Sequence, residues 1–232
     1  MRFQRLSNLL LICLFPLLGN AQGDSSFPLK ITLYAKANTS TKIWKEDIKK
    51  TFSNYPEFNS KFGYGAGLDI HVNLSDNWYL ANSVDFTLRK NGVSTGGVIQ
   101  FFDEMGNPIL IQCDEISQKI NQGILAIGAG YKLFPFLAIE LAPYAQWDLT
   151  KEEFKFCDYN DWKENEFFEK NFDIGFVPSL RLSLNNFNLK FSYLYGLGNA
   201  QKIKLTDENG HDVGEYNTGY RMFSMGIGYT FL

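Results

Sequence analysis

Apolar and polar residues alternate with a period of two along most of this chain, the mark of strands with two unlike faces. Segment 62–74 shows it best. Phe62, Tyr64, Ala66, Leu68, Ile70, Val72 and Leu74 share one face, opposite Gly63, Gly65, Gly67, Asp69, His71 and Asn73. In 78–88 the apolar face is Trp78, Leu80, Val84, Phe86 and Leu88, interrupted by Asn82. The pattern returns at 125–133, 137–149, 172–184, 187–198 and 223–231, and more weakly at 29–36, which predicts eight strands.

The connections test the assignment of faces, because residues flanking a tight turn must point the same way. Asn185-Asn186 leaves Leu184 beside Phe187, both apolar, and Asn-Asn tolerates the positive φ of a two-residue turn. Three-residue connections around Asp76 and Pro135 would set Leu74 opposite Trp78 and Leu133 opposite Leu137. The alternate connections are long, near 38–60, 90–118, 150–170 and 199–217. Short turns at one end and long loops at the other are the layout of a membrane barrel with both termini periplasmic.

Alternation alone also fits a secreted soluble barrel or sandwich. The polar faces decide the reading. They are dense in Gly, Ala and Ser with isolated charges, where a water-facing sheet would carry long polar side chains and few glycines. Small residues suit the narrow lumen of eight strands. Trp78, Phe62, Trp147, Phe187 and Tyr229 stand near strand ends, as aromatic girdles do. The expected fold class is therefore all-β, an eight-stranded antiparallel up-and-down transmembrane β-barrel occupying 22–232.

Residues 1–21 read as a secretory signal: Arg2 and Arg5, an apolar run from Leu9 to Leu18, then Gly19-Asn20-Ala21, with cleavage expected after Ala21. Cys13 lies inside that run behind bulky Ile12, which disfavours a lipoprotein site. Processing would leave 20 basic and 25 acidic residues, a net charge of −5. That sign excludes a nucleic-acid footprint. The 21 Phe and 12 Tyr exceed what a soluble domain of 232 residues needs.

The signal, the eight strands, the short and long connections and the closing segment Phe223-Ser224-Met225-Gly226-Ile227-Gly228-Tyr229-Thr230-Phe231 together resemble small Gram-negative outer-membrane barrels of the OmpA/OmpX and PorT-like type. The closing segment, with Phe223, Met225, Ile227, Tyr229 and Phe231 alternating, resembles the signal read by the barrel-assembly machinery. It departs from that signal in having Leu232 after the last aromatic. The resemblance implies a cell-envelope protein embedded in outer-membrane lipid. Members of the family include adhesins, structural proteins and secretion-system accessory factors.

Charges expected to face the lumen are Lys30, Asp69, Asp85, Arg89, Glu140, Asp173, Arg181 and Lys190. They read either as a path for small solutes or as a mutually satisfied plug, and eight strands favour the plug. His71 faces inward near a periplasmic turn, the wrong end for hydrolysis of an outer-leaflet or external substrate, and reads as a lumen-filling residue; His211 lies in a loop. No catalytic residue, cofactor or metal ligand is expected. Cys113 and Cys157 fall in neighbouring loops and stand either as a disulfide or as two independent thiols.

Segment 207–212 lacks the spacing of a calcium loop, and Asn209-Gly210 reads better as a turn between Lys202–Leu205 and Val213–Tyr216. Val98–Phe102 and Ile109–Cys113 suggest a second protruding hairpin. Phe154, Phe156, Tyr159, Trp162, Phe167 and Phe168 form an acidic, aromatic loop able to bind an extracellular or envelope partner or to pack on itself. Ile43, Trp44, Ile48 and Phe52 fit one face of a short helix. The functional expectation is a monomeric, non-enzymatic surface-interaction or envelope-structural protein. A small-solute channel and a secretion-system accessory factor are the alternatives.

Overall fold

The computed structural model describes residues 29–45, 57–102, 108–155, 163–164, 172–198, 201–206 and 212–231; side chains at 95–102, 108–113, 163–164, 201–206 and 212–216 are not described. These residues form β1 (Leu29–Trp44), β2 (Phe58–Asn73), β3 (Trp78–Phe102), β4 (Pro108–Phe134), β5 (Leu137–Asp148), β6 (Glu153–Lys155), β7 (Lys163–Glu164), β8 (Phe172–Leu184), β9 (Phe187–Gly196), β10 (Gln201–Thr206) and β11 (Asp212–Thr230). Every pairing is antiparallel. β1, β2, β3, β4, β5, β8, β9 and β11 follow one another around a ring that β11 closes against β1. The short β10 pairs with β11, while β6 pairs with β4 and β7 with β6.

The period-two sequence translates into an inverted molecule. Phe62, Phe86, Leu141, Phe172, Leu184 and Ile227 are each more than half exposed on the outer wall, whereas Thr32, Asp69, Gln122, Asp173 and Thr218 are almost fully buried within. Water would not tolerate a continuous apolar wall of this extent on a soluble monomer. Lipid requires it, and ring closure leaves no strand edge to be satisfied in hydrocarbon. The closing-segment residues Phe223, Met225, Ile227, Tyr229 and Phe231 all lie on this outer wall. β5, β8 and β9 have 12, 13 and 10 residues, close to the roughly 9–11 that a tilted strand needs to cross the hydrocarbon.

Two expectations about connections need correction. Segment 90–118, read as a loop, is mostly strand, with β3 pairing β4 as far as Phe102 and Pro108, and strand reaches into both ends of 38–60, where β1 continues to Trp44 and β2 begins at Phe58. At 25 and 27 residues, β3 and β4 extend roughly 80 Å, well beyond a hydrocarbon core of about 30 Å. The protruding hairpins at 98–113 and 202–216 are present as strand pairs. Ile43 and Trp44 are not helical but pair with Gly219 and Thr218; Ile48 and Phe52 lie outside the described residues.

The second correction concerns Pro135. Phe134, not Leu133, pairs with Leu137 across the two-residue turn Pro135-Phe136, and Leu133 is the extra residue of a bulge. A bulge lets consecutive residues share a side, and Leu133 and Phe134 are both exposed at the rim. The other two turns match the parity read from the sequence. Leu74 N–H donates to the Trp78 carbonyl at 2.9 Å. Leu184 faces Phe187, with Asn185 at φ 55°.

Candidate functional site in the lumen

The lumen is filled by side chains that the strand pleat turns inward. In its lower half, toward the short turns, Asp69 and His71 come from β2, Tyr79 from β3, Glu140 from β5, Arg181 from β8 and Lys190 from β9. Arg181 Nη2 lies 2.7 Å from Asp69 Oδ2 and 2.8 Å from Glu140 Oε1. Lys190 Nζ reaches the same Asp69 oxygen at 2.6 Å and Glu140 Oε2 at 3.1 Å. Tyr79 Oη donates to Glu140 Oε1 at 2.8 Å. Two acids and two bases thus neutralise one another inside the barrel, the condition for burying charge.

His71 completes this cluster. Its Nδ1 is 2.6 Å from Arg181 Nη1. Because a guanidinium only donates, Nδ1 is the acceptor and the proton of the neutral ring sits on Nε2. That Nε2 finds no hydrogen-bond partner among the described residues. Asp69, His71 and Glu140 do offer ligand atoms within 4.8 Å of one another. The donor set does not suit a metal ion, however: Arg181 holds the imidazole lone pair, and Arg181 and Lys190 hold the carboxylates.

Glycines make room for this arrangement. Tyr34 of β1 lies across Gly228 of β11, where a Cβ would stand 2.6 Å from the ring. Tyr79 lies across Gly130 of β4 in the same way, with its hydroxyl 2.5 Å from where the Cβ would be. The Tyr34 ring in turn faces Lys36, Arg181 and Lys190, whose charged groups stand 5.6, 6.0 and 5.9 Å from its centroid. Stacking a cation on an aromatic face is favourable and adds to the electrostatic cage.

The other inward charges lie elsewhere. Asp85 pairs with Lys36 at 2.5 Å. Above them Ile124, Ala126, Ala142, Tyr144, Leu194 and Met222 form a small apolar pad inside the barrel. Higher still, Arg89 lies 3.3 Å from the Tyr220 ring centroid, and its Nε and Nη2 have no hydrogen-bond partner among the described residues. Asp173 accepts hydrogen bonds from Tyr144 Oη at 3.2 Å and from the backbone N–H of Ile174 and Gly198 at 2.9 and 2.8 Å. Lys30 is exposed at the lower mouth.

Near the upper mouth Lys42 binds Glu152 at 2.8 Å and Gln118 at 3.1 Å, and Asn91 donates to Gln118 at 2.6 Å. The sequence reading missed Lys36, Lys42 and Glu152. The signal for Lys36 and Lys42 was available: both keep the even-numbered, inward parity of Tyr34 and Asn38 in β1. Glu152 follows the last residue of β5 and carries no such parity.

Of the loop residues, Phe154 lies in β6, half-buried, and Phe156, Tyr159, Trp162, Phe167 and Phe168 fall outside the described residues. Cys157 and His211 fall outside them as well, as does the signal segment 1–21, and Cys113 is described only as a backbone position of β4. On the projecting part of β4, Glu115 meets Lys61 and accepts from Asn59 Nδ2 at 2.9 Å. Partial burial there would raise the Glu115 carboxyl, but the hydrogen bonds from Lys61 and Asn59 outweigh it and hold the group below the usual carboxylate range.

No model of a protein family matches the chain, and no curated protein matches its sequence. Among solved structures the chain is similar to Ail, the attachment invasion locus protein of Yersinia pestis, at 13% identity and a TM-score of 0.43, covering 88% of this chain and 99% of that one. Neisserial surface protein A matches at 11% identity and 0.42, covering 87% and 97%. The outer membrane protein OprG of Pseudomonas aeruginosa matches at 11% and 0.41, covering 88% and 95%. The strand order and pairing of the chain itself establish its architecture, an antiparallel β-barrel of eight strands.

Proposed function

We propose that this chain is an integral outer-membrane barrel with a sealed lumen, non-enzymatic, serving the envelope as a structural or surface-interaction protein through its projecting strands and loops. The observation that carries the reading is the cluster of Asp69, Glu140, Arg181 and Lys190, whose side chains are at most 8% exposed and meet across the lumen. Above it the interior cavity that Lys36, Asp85 and Lys190 help to line has a volume of only about 30 Å3, space for about one water molecule. A hydrated ion does not pass such a column without breaking the cluster. With transport closed, specificity falls to what stands above the membrane, chiefly the long β3–β4 hairpin.

Refolded protein inserted in a planar lipid bilayer tests this. The expected outcome is no discrete openings from protein whose unboiled band migrates differently from its boiled one. Reproducible unitary conductance from such protein would overturn the sealed lumen and favour a small-solute channel.

A further inference from the structure

At the barrel end that carries the short turns, the lumen widens into a cavity of about 220 Å3, the bulk volume of roughly seven water molecules. Among the described residues its wall includes Lys30, Lys132 and Arg181 and no carboxylate. Arg181 is already matched by Asp69 and Glu140. Lys30 has no hydrogen-bond or ion-pair partner among the described residues. Lys132 Nζ donates to the Asp76 carbonyl at 3.1 Å, which occupies one of its three donors. His71 also lines the cavity, but its Nε2 lies 3.7 Å from Glu140 Oε1 and 3.9 Å from Asp69 Oδ2, so its N–H belongs to the carboxylate cluster and the two lysines carry the site.

A basin with two lysines in excess and no carboxylate among its described lining residues is matched by a compact anion with several acceptor oxygens. We propose that this cavity is a binding site for a phosphate group. The proposal rests on the reading of the preceding subsection, an outer-membrane barrel whose long strands project outward, so that the end with the short turns lies at the inner leaflet. Phe134, Phe136 and Phe231 line the cavity and are each more than half exposed. Aromatic rims of this kind stand at headgroup depth. A phosphate there comes either from a phospholipid headgroup bent over the rim or from the periplasmic solution, and both offer the same oxygens to the same lysines.

The test uses the full chain refolded in a phosphate-free maltoside detergent. Inorganic phosphate is titrated by calorimetry against the wild type, Lys30→Gln/Lys132→Gln, and Lys61→Gln as a control on the projecting strands. The expected result is saturable binding that weakens roughly tenfold or more in the double variant, as loss of charge-assisted hydrogen bonds predicts, with the control unchanged. Repeating the titration with phosphatidylglycerol in the micelles separates the sources: competition assigns the site to a headgroup, and its absence assigns it to soluble phosphate. Equal affinity in the wild type and the double variant, or no binding of phosphate or phosphatidylglycerol to either, overturns the site. The mobility shift on boiling, read on the same samples, reports separately on the barrel, so a failed titration with that shift intact removes the site and leaves the barrel standing.

Discussion

The two halves of the lumen are closed by different means. In the lower half, Asp69, Glu140, Arg181 and Lys190 share one another's charges, with Tyr79 and His71 attached, so that five strands are tied at a single point. In the upper half the contacts are less concentrated, with Lys42 and Arg89 linked through the Tyr220 ring. Lys42 meets Glu152, Arg89 rests on Tyr220, and Asp173 is satisfied by a tyrosine and two backbone amides. One member of the upper closure, Glu152, comes from a connection and not from a strand of the ring. The lower plug is therefore a property of the barrel wall, while the upper one depends on where the segment after β5 settles.

That contrast is open to attack by mutation. The largest effect is expected from Asp69→Ala, which leaves Arg181 and Lys190 with Glu140 as their one remaining shared carboxylate; breaking a buried pair in this way costs about 3–5 kcal/mol. The urea midpoint of the refolded protein reports it, and a smaller shift than that of any upper-half variant would reverse the ranking. Gly228→Ala drives a methyl against Tyr34 and should cost about 1–3 kcal/mol, with Tyr34→Ala in the same chain recovering part of the loss. Glu152→Gln removes one charge-assisted contact to Lys42, worth about 2 kcal/mol. Its effect on the midpoint should stay below that of Asp69→Ala.

The smallest effect is expected at Glu115, above the membrane. Exposed pairs of this kind contribute less than about 1 kcal/mol. The carboxyl is held below its ordinary value of 4.5 in the folded chain, so its contribution is complete above the unfolded value and fades as pH falls through the folded one. The difference in midpoint between Glu115→Gln and wild type should be present at pH 7 and vanish in the acid range. A difference that grows on acidification would contradict the sign.

How much of this could be read from the sequence depended on where lipid imposes a rule. In 137–149 and 172–184 every second residue must be apolar, and the faces were legible. Above the membrane no such rule holds. Asn91, Gly92 and Ser94 of β3, and Ser117 and Gln118 of β4, are paired strand residues that read as loop. Tyr34, Tyr79 and Tyr220 were obscured for another reason: tyrosine suits an outer girdle, yet these three point inward and are nearly fully buried. Inward charges were legible one by one from parity. Their partners were not, because contacts across a barrel depend on its shear and on which strands face each other. Asp69 and Arg181, separated by 112 residues, meet only once the ring is closed.

Ring closure itself has a consequence for how the molecule is made. The seam runs from Thr32 opposite Thr230 to Trp44 opposite Thr218, joining the two extremes of the described chain. The hydroxyls of Thr32 and Thr230 meet at 2.8 Å across 198 residues of sequence. Contacts between such distant parts form late and slowly, because the loop they close must be ordered first. Until β11 arrives, β1 and β9 each present a bare row of amides and carbonyls, the kind of edge that recruits strands from other chains. A chain cut short before residue 212 would thus be more than an incomplete barrel; it would be a sticky one, and the cell's interest lies in keeping it escorted until its last strand is in place.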